Sequence, residues 1–381
     1  MSLPAPTPEA LSISQQLTSV IIDEIQAQSW ISFARYMELA LYAPGLGYYS
    51  AGATKLGAAG DFITAPEISP LFGRSLAQQI AQVLRITAGD VLEIGAGSGR
   101  LACDVLIELV RLGCAPNHYY ILEVSADLRE RQQQIMTTML PDSLDRVIWL
   151  DALPATFTGC IIGNEVLDAM PVHIVHAIED GLSERGVVLQ NQQFAWQDRP
   201  LTTGVLFDTA TALNLSADYI TEINLSAQGF ISSLAHCLQR GMIVMVDYGF
   251  GEREYYHPQR NQGTLMCHYR QYAHADPFYL PGLQDITAHV DFTAVGVAGI
   301  DAGLQLAGYT GQAQFLINCG ITDLLALTSA DDVAHYAPQA AAVQKLMSPA
   351  EMGELFKVMA WIRDIDEPLL GFVQGDQTRR L

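Results

Sequence analysis

Apolar residues recur at helical spacing near the start of the chain. Leu11, Leu17, Ile21, Ile22 and Ile25 form one stripe, and a second run spans Phe33 to Tyr42 before Pro44 stops it. The spacing predicts helices over residues 9–43, after a loose leader, residues 1–8, that carries three prolines. Residues 44–70 are turn-rich, with Gly45, Gly47, Gly52, Gly57, Gly60, Pro66 and Pro70. A segment of this length without regular periodicity is usually functional. Whether it moves during a reaction cycle stays open.

From residue 90 the pattern changes to short apolar runs alternating with amphipathic ones. Strands are expected at Val91–Ile94, Tyr119–Val124, Val147–Leu150, Cys160–Gly163 and Met242–Tyr248, and helices at Gly99–Leu112 and Ala126–Met139. Such alternation predicts an α/β fold with a parallel, Rossmann-like sheet and helices on both faces. Val172–Ala177, Leu182–Gln190 and Gln193–Gln197 read instead as a β-meander, turned at Asp180-Gly181 and Asn191-Gln192. Four regions follow: an N-terminal helical cover with the glycine-rich loop (1–80), a cofactor-binding core (81–171), an inserted β-rich substrate region (172–225), and the completion of the α/β core with substrate-side loops (226–381).

Composition narrows the chemistry. The chain of 381 residues is 50% hydrophobic and 16% charged, which suits a soluble chain with a sizeable core. Its 41 Asp+Glu against 20 Lys+Arg give a net charge of −21. Such a surface repels phosphate backbones, so nucleic acid is disfavoured as the main partner, while basic proteins and small molecules are easier ones. Solubility alone is the other reading of the acidity. The six cysteines form no C-x-x-C pair and no zinc spacing, so a reducing compartment and no structural metal are expected. No apolar stretch is long enough to span a bilayer. No Lys or Arg precedes Arg35, which argues against a secretory or transit peptide and makes the bacterial cytoplasm the expected location.

The central motif is Glu93-Ile-Gly95-Ala-Gly97-Ser-Gly99, placed where a strand gives way to a helix. Glycines there let the backbone turn sharply and approach a ligand. The dinucleotide fingerprint sets its third glycine one place later, to receive a pyrophosphate at the helix N-terminus. S-adenosylmethionine has no phosphate and needs a carboxylate for its ribose hydroxyls. Glu123 closes the next strand and fits that need, and Asp151 closes the following one, where an adenine contact is expected. The alternative is a tight strand–helix turn flanked by solvated acids.

The fourth strand runs into Gly163-Asn164-Glu165-Val166-Leu167-Asp168. Ligands of open α/β sheets sit at the carboxyl ends of the strands, so Asn164, Glu165 and Asp168 are the candidates for handling a methyl acceptor. Glu165 and Asp168, three apart, would share a face of one helical turn. Two carboxylates suit a guanidinium, because they can clamp its planar fork and hold its charge away from the attacking nitrogen. The bland alternative is that Asp168 caps a helix and Glu165 pairs with a structural arginine. Asp247-Tyr248 ends another strand and could touch the site, and His289 could pair with Asp291. Each is also readable as packing. The aromatic 255–279 stretch could recognise a peptide or simply pack.

These residues carry a resemblance. Phe33-x-x-Tyr36-Met37 with Ala40-Leu41-Tyr42-x-Pro44-x-x-Gly47-Tyr48-Tyr49, then Gly60-Asp61-Phe62-x-Thr64-Ala65-Pro66-Glu67, open the pattern. The Glu93–Gly99 loop, Asn164-Glu165 with Asp168-Ala169-x-Pro171-Val172, Asp247-Tyr248-Gly249, 285–292 and 352–358 continue it in order. Over most of its length the chain resembles the MidA-like methyltransferases, which include the mitochondrial complex I assembly-factor arginine methyltransferase. The resemblance implies a seven-stranded methyltransferase sheet, S-adenosyl-L-methionine as cofactor, and an approach of Gly60, Asp61 and Thr64 to it. It also implies a protein substrate, with arginine methylation on a respiratory-complex subunit as the example. Met266 departs from the pattern, which has arginine there. Tyr269-Arg270 nearby is the candidate substitute for that lost charge. The oligomeric state stays open, a homodimer included. Three rivals remain: a retired fold serving as an assembly scaffold, an NAD-dependent dehydrogenase, and a small-molecule methyltransferase.

Overall fold

The computed structural model describes residues 3–51 and 64–381. Its centre is a sheet with seven strands in line: Gln305–Gly311, Phe356–Arg363, Leu238–Phe250, Phe157–Asn164, Asp90–Ile94, Tyr119–Leu122 and Val147–Leu150. The last five run parallel to one another; Phe356–Arg363 is antiparallel to both of its neighbours, so Gln305–Gly311 at the edge runs in the direction of the five. A two-residue strand, Val290–Asp291, pairs with the end of Leu238–Phe250 and brings the sheet to eight.

Side chains alternate across this sheet and divide the core in two. Val91, Ile162, Val244 and Ala360 face a cluster built with the helices Pro70–Thr87 and Arg100–Arg111. Their neighbours Leu92, Ile161, Ile243 and Trp361 face a second cluster built with the helices Leu225–Cys237 and Phe292–Asp301. Burial on both faces is why these strands read as continuous apolar runs rather than as an alternation. It also fixes the strand ends, where the chain must leave the core, as the place for polar chemistry.

Helices form at Pro8–Gln28 and Phe33–Tyr42, as the periodicity predicts. Thr7 and Ser32 cap them, each hydroxyl accepting a backbone N–H of the first turn. Between them lies a two-residue strand that no pattern announced, Ile31–Ser32, paired with Val187 and Gly186. It joins the sheet of His173–Ile178, Gly181–Gln190, Gln193–Leu201 and Tyr219–Ile223, so the expected meander is present and extended. Leu17, Ile21, Phe33, Tyr36 and Met37 pack against Val172, Ile174, Val187, Cys267 and Ile286. The N-terminal helices therefore cover the inserted sheet and the small sheet of Met266–Tyr269, Tyr272–His274 and Asp285–Thr287.

Candidate active site

A cavity of about 1460 Å³ opens over the carboxyl ends of the parallel strands. Ligand pockets for one small molecule run to roughly 1,000 Å³, so it has room for a cofactor and part of an acceptor together. Its walls come from the glycine loop, the end of the strand Phe157–Asn164, the cover (Tyr42, Tyr48, Tyr49), and the segment Gly263–Met266.

Gly95, Gly97 and Gly99 all adopt positive φ, at 63°, 54° and 86°, a region that L side chains avoid. At Gly99 the packing adds a second reason. A Cβ there would sit 3.1 Å from the Met136 side chain and 3.3 Å from the Gln132 backbone, both on the helix Ala126–Met139. Ser98 donates its hydroxyl to Glu67, which tethers the loop to the short helix Ala65–Ile68.

Glu123 is 5% exposed and lines the cavity. One oxygen accepts the Ser125 N–H at 3.0 Å and the other accepts Gln132 Nε2 at 3.1 Å. A carboxylate has about four acceptor positions, so Glu123 keeps capacity for a diol. Gln132, which the sequence did not single out, also donates to the Gly97 carbonyl at 3.0 Å and accepts from Trp149 Nε1 at 2.8 Å. It locks the loop to the acid. Glu93 lies at the floor, where Tyr119 donates to it at 2.6 Å and burial lifts its carboxyl to about 7.

Asp151 is not brought to this cavity. Its side chain is 92% exposed and pairs with Arg129 at 2.8 Å. Arg129 also donates to the carbonyls of Glu123 and Leu150, so it bridges two strand ends and holds Asp151 outward. The adenine contact expected of Asp151 is therefore not part of the cavity wall. Gly60 and Asp61 lie outside the described residues, whereas Thr64 is described and lines the cavity.

Asn164, Glu165 and Asp168 all line the cavity. They do not share a helical turn. Residues 165–170 form a non-helical turn, and Glu165 itself sits at a φ of 53°. Asp247 builds that turn. Its Oδ2 accepts the N–H groups of Val166, Leu167 and Asp168 at 3.1, 2.9 and 3.3 Å. A side-chain carboxylate that accepts these three N–H groups, in place of a helix's own hydrogen bonds, lets the residue at positive φ persist. Burial, with Asp168 and Glu165 beside it, pushes the Asp247 carboxyl well above the usual range.

Asn164 Nδ2 donates to Glu165 at 3.0 Å, and Tyr248 donates to Asp168 Oδ2 at 2.5 Å. Burial raises Glu165 to about 8, aided by the charge of Asp168. It raises Asp168 to about 6 despite the Tyr248 bond. Asp168 Oδ1 and Asn164 Oδ1 are buried with no partner among the described residues. Unpaired acceptors inside a protein are costly, so both oxygens are left for donors that the described residues do not supply.

Tyr248 reaches the cavity. His289 packs edge-on to Tyr248 at 5.3 Å, and burial lowers it to about 4. Asp291 is turned away from it, capping the helix Phe292–Asp301 through the N–H groups of Thr293 and Ala294. Phe278 packs on Tyr36 and Trp196, so much of the aromatic 255–279 stretch is core. Arg270 does not replace the missing arginine at 266, since it is exposed and donates to the Ala5 carbonyl. The guanidinium that does line the cavity is Arg260, which sequence reading passed over.

The loop with glycines at 95, 97 and 99, the buried acid with spare acceptor positions and the cavity volume together fit S-adenosyl-L-methionine. Comparisons with known proteins agree. Residues 73–310 match the family described as "Putative S-adenosyl-L-methionine-dependent methyltransferase". A crystal structure from Burkholderia thailandensis bound to S-adenosyl-homocysteine is 48% identical, covers 100% of both chains and superposes with a TM-score of 0.97. The mitochondrial protein arginine methyltransferase NDUFAF7 of Danio rerio is 28% identical, over 91% of this chain and 86% of its own. Its Caenorhabditis elegans homolog is 26% identical, over 81% and 77%. The chain therefore belongs to this family of S-adenosyl-L-methionine-dependent methyltransferases.

Proposed function

We propose that the methyl acceptor is the guanidinium of an arginine in a protein. The observation that carries this reading is the pair of buried carboxylates, Glu165 and Asp168, on one turn beside the glycine loop. Relatives named protein arginine methyltransferase, at 26% and 28% identity, support it.

When bound, S-adenosyl-L-methionine supplies an electrophilic methyl group on its sulfonium. The chain's own residues then have three tasks. Glu165 and Asp168 hold a planar cation by charge-assisted hydrogen bonds. A guanidinium between them supplies the positive charge that their burial otherwise lacks, and both carboxyls ionise more readily. The carboxylates draw charge to the nitrogens they touch, which leaves the third nitrogen more nucleophilic, and one of them takes the proton that leaves on transfer. Tyr42 and Tyr49 wall the cavity from the cover side and limit water. Glu93, Gly95, Gly97, Gly99, Glu123 and Thr64 hold the cofactor in this reading.

The test is transfer from methyl-labelled S-adenosyl-L-methionine into a protein extract, followed by amino-acid analysis of the labelled residue. Methylarginine is expected. Glu165→Gln and Asp168→Asn should each lower transfer by about 100-fold or more, with S-adenosyl-homocysteine affinity within about threefold. Label confined to another residue type or to small molecules would overturn the acceptor.

A further inference from the structure

Among the described residues, six carboxylates line the cavity against two permanent cations, Arg260 and Lys345. Lys345 is exposed near the end of the helix Val333–Met347. Arg260 is half-buried and held in place. Its guanidinium lies over the Phe250 ring, 4.0 Å from the centroid. One of its nitrogens, Nη1, donates to the carbonyls of Glu254 and Tyr255. A guanidinium has five N–H donors on three nitrogens. Among the described residues, Nε and Nη2 have no hydrogen-bond acceptor and no carboxylate pairs with the group.

The placement is specific. Phe250 packs against His289 with centroids 5.2 Å apart, His289 against Tyr248 at 5.3 Å, and Tyr248 bonds Asp168. A short stack of rings therefore separates Arg260 from the acceptor carboxylates. An extended peptide advances about 3.3 Å per residue, so an arginine seated at Glu165 and Asp168 would carry its near neighbours past Arg260. Beside the same wall, Glu222 fixes the Gly263–Met266 segment. It accepts the N–H groups of Thr264 and Leu265 and the Thr264 hydroxyl. The wall that presents Arg260 is thus anchored and does not need to be ordered by a partner.

We infer that Arg260 is a specificity-determining residue. It reads a carboxylate, an aspartate or glutamate lying within about five residues of the methylated arginine. The inference rests on the arginine reading of the acceptor site. A planar fork stacked on an aromatic ring, with donors left over, is suited to a bidentate carboxylate. It also resolves a mismatch. An acid-lined cavity on a chain of net charge −21 favours uniformly basic segments, and one fixed guanidinium at its edge selects the subset whose arginine has an acidic neighbour.

The experiment uses a proteome-derived peptide library and the undigested extract it came from, with methyl-labelled S-adenosyl-L-methionine and site mapping by mass spectrometry. Wild type, Arg260→Gln and Arg260→Lys are compared, with S-adenosyl-homocysteine affinity as the control for folding. Wild type is expected to enrich Asp or Glu near the modified arginine. For the best acidic peptide and its Asn/Gln counterpart, the ratio of kcat/KM should collapse about tenfold in Arg260→Gln and partly recover in Arg260→Lys, with the change in KM. An acidic preference that survives in Arg260→Gln, or none in wild type, overturns the inference alone and leaves Arg260 as a clamp on residues 254–255. Methylation of no arginine in either pool overturns the acceptor reading and this inference with it.

Discussion

The hydroxyl of Tyr248 donates to Oδ2 of Asp168 at 2.5 Å, joining two strand ends that lie 80 residues apart in the chain. The bond favours the ionised form of Asp168 against the burial that raises it to about 6. Tyr248 itself is pushed well above the ordinary tyrosine range by burial and by Asp168, so it stays a donor at every working pH. Removing the hydroxyl should lift Asp168 further. Tyr248→Phe is expected to move the acidic limb of the kcat profile up by about one pH unit. Near pH 6.5 kcat should fall about threefold, approaching tenfold below about pH 5.5, with S-adenosyl-homocysteine affinity unchanged. A lower kcat with an unmoved profile would mean that Tyr248 only fills space.

Glu165 gives a stability prediction. Its folded carboxyl is raised from the model-compound 4.5 to about 8 by burial and by Asp168. A raised acid is protonated in both states below pH 4.5, and there it imposes no penalty. Between about 4.5 and 8 the unfolded chain releases the proton while the folded chain keeps it, so stability falls as pH rises through that window. Glu165→Gln removes the penalty. Its urea-unfolding free energy should exceed that of wild type by roughly 2 to 4 kcal/mol at pH 8, converging at pH 4.5. A pH-independent difference would show that the carboxyl is not desolvated as the packing indicates.

Glu123 and Asp151 close neighbouring strands and should behave differently. Glu123 is buried against the glycine loop, and loss of a charged acceptor costs about 1.5–3 kcal/mol. Glu123→Ala should therefore weaken S-adenosyl-homocysteine at least tenfold by calorimetry, and Glu123→Gln should recover part of that. Asp151 is solvated and paired with Arg129, and an exposed pair contributes little. Asp151→Ala should change the affinity less than twofold. Equal losses in both would restore Asp151 to the cofactor site.

What the sequence determined follows from local rules. Two-sided burial gives the strands Asp90–Ile94, Phe157–Asn164 and Leu238–Phe250 uninterrupted apolar stretches such as Met242–Val246, so they and the α/β class were legible. The glycine loop was legible because positive φ leaves few residue choices. The place of Asn164, Glu165 and Asp168 on the cavity wall was legible because strand ends are where ligands bind. Tertiary structure decided the rest. Asp151 looked equivalent to Glu123 along the chain, but the cross-strand reach of Arg129 turns it to solvent. The turn that presents Glu165 depends on Asp247, 80 residues away from Leu167. Gln132 and Arg260 carry no sequence signal, since their roles come from partners brought near only by folding. Periodicity and turn chemistry are properties of neighbouring residues, whereas the hydrogen bonds that aim a side chain are made across the fold.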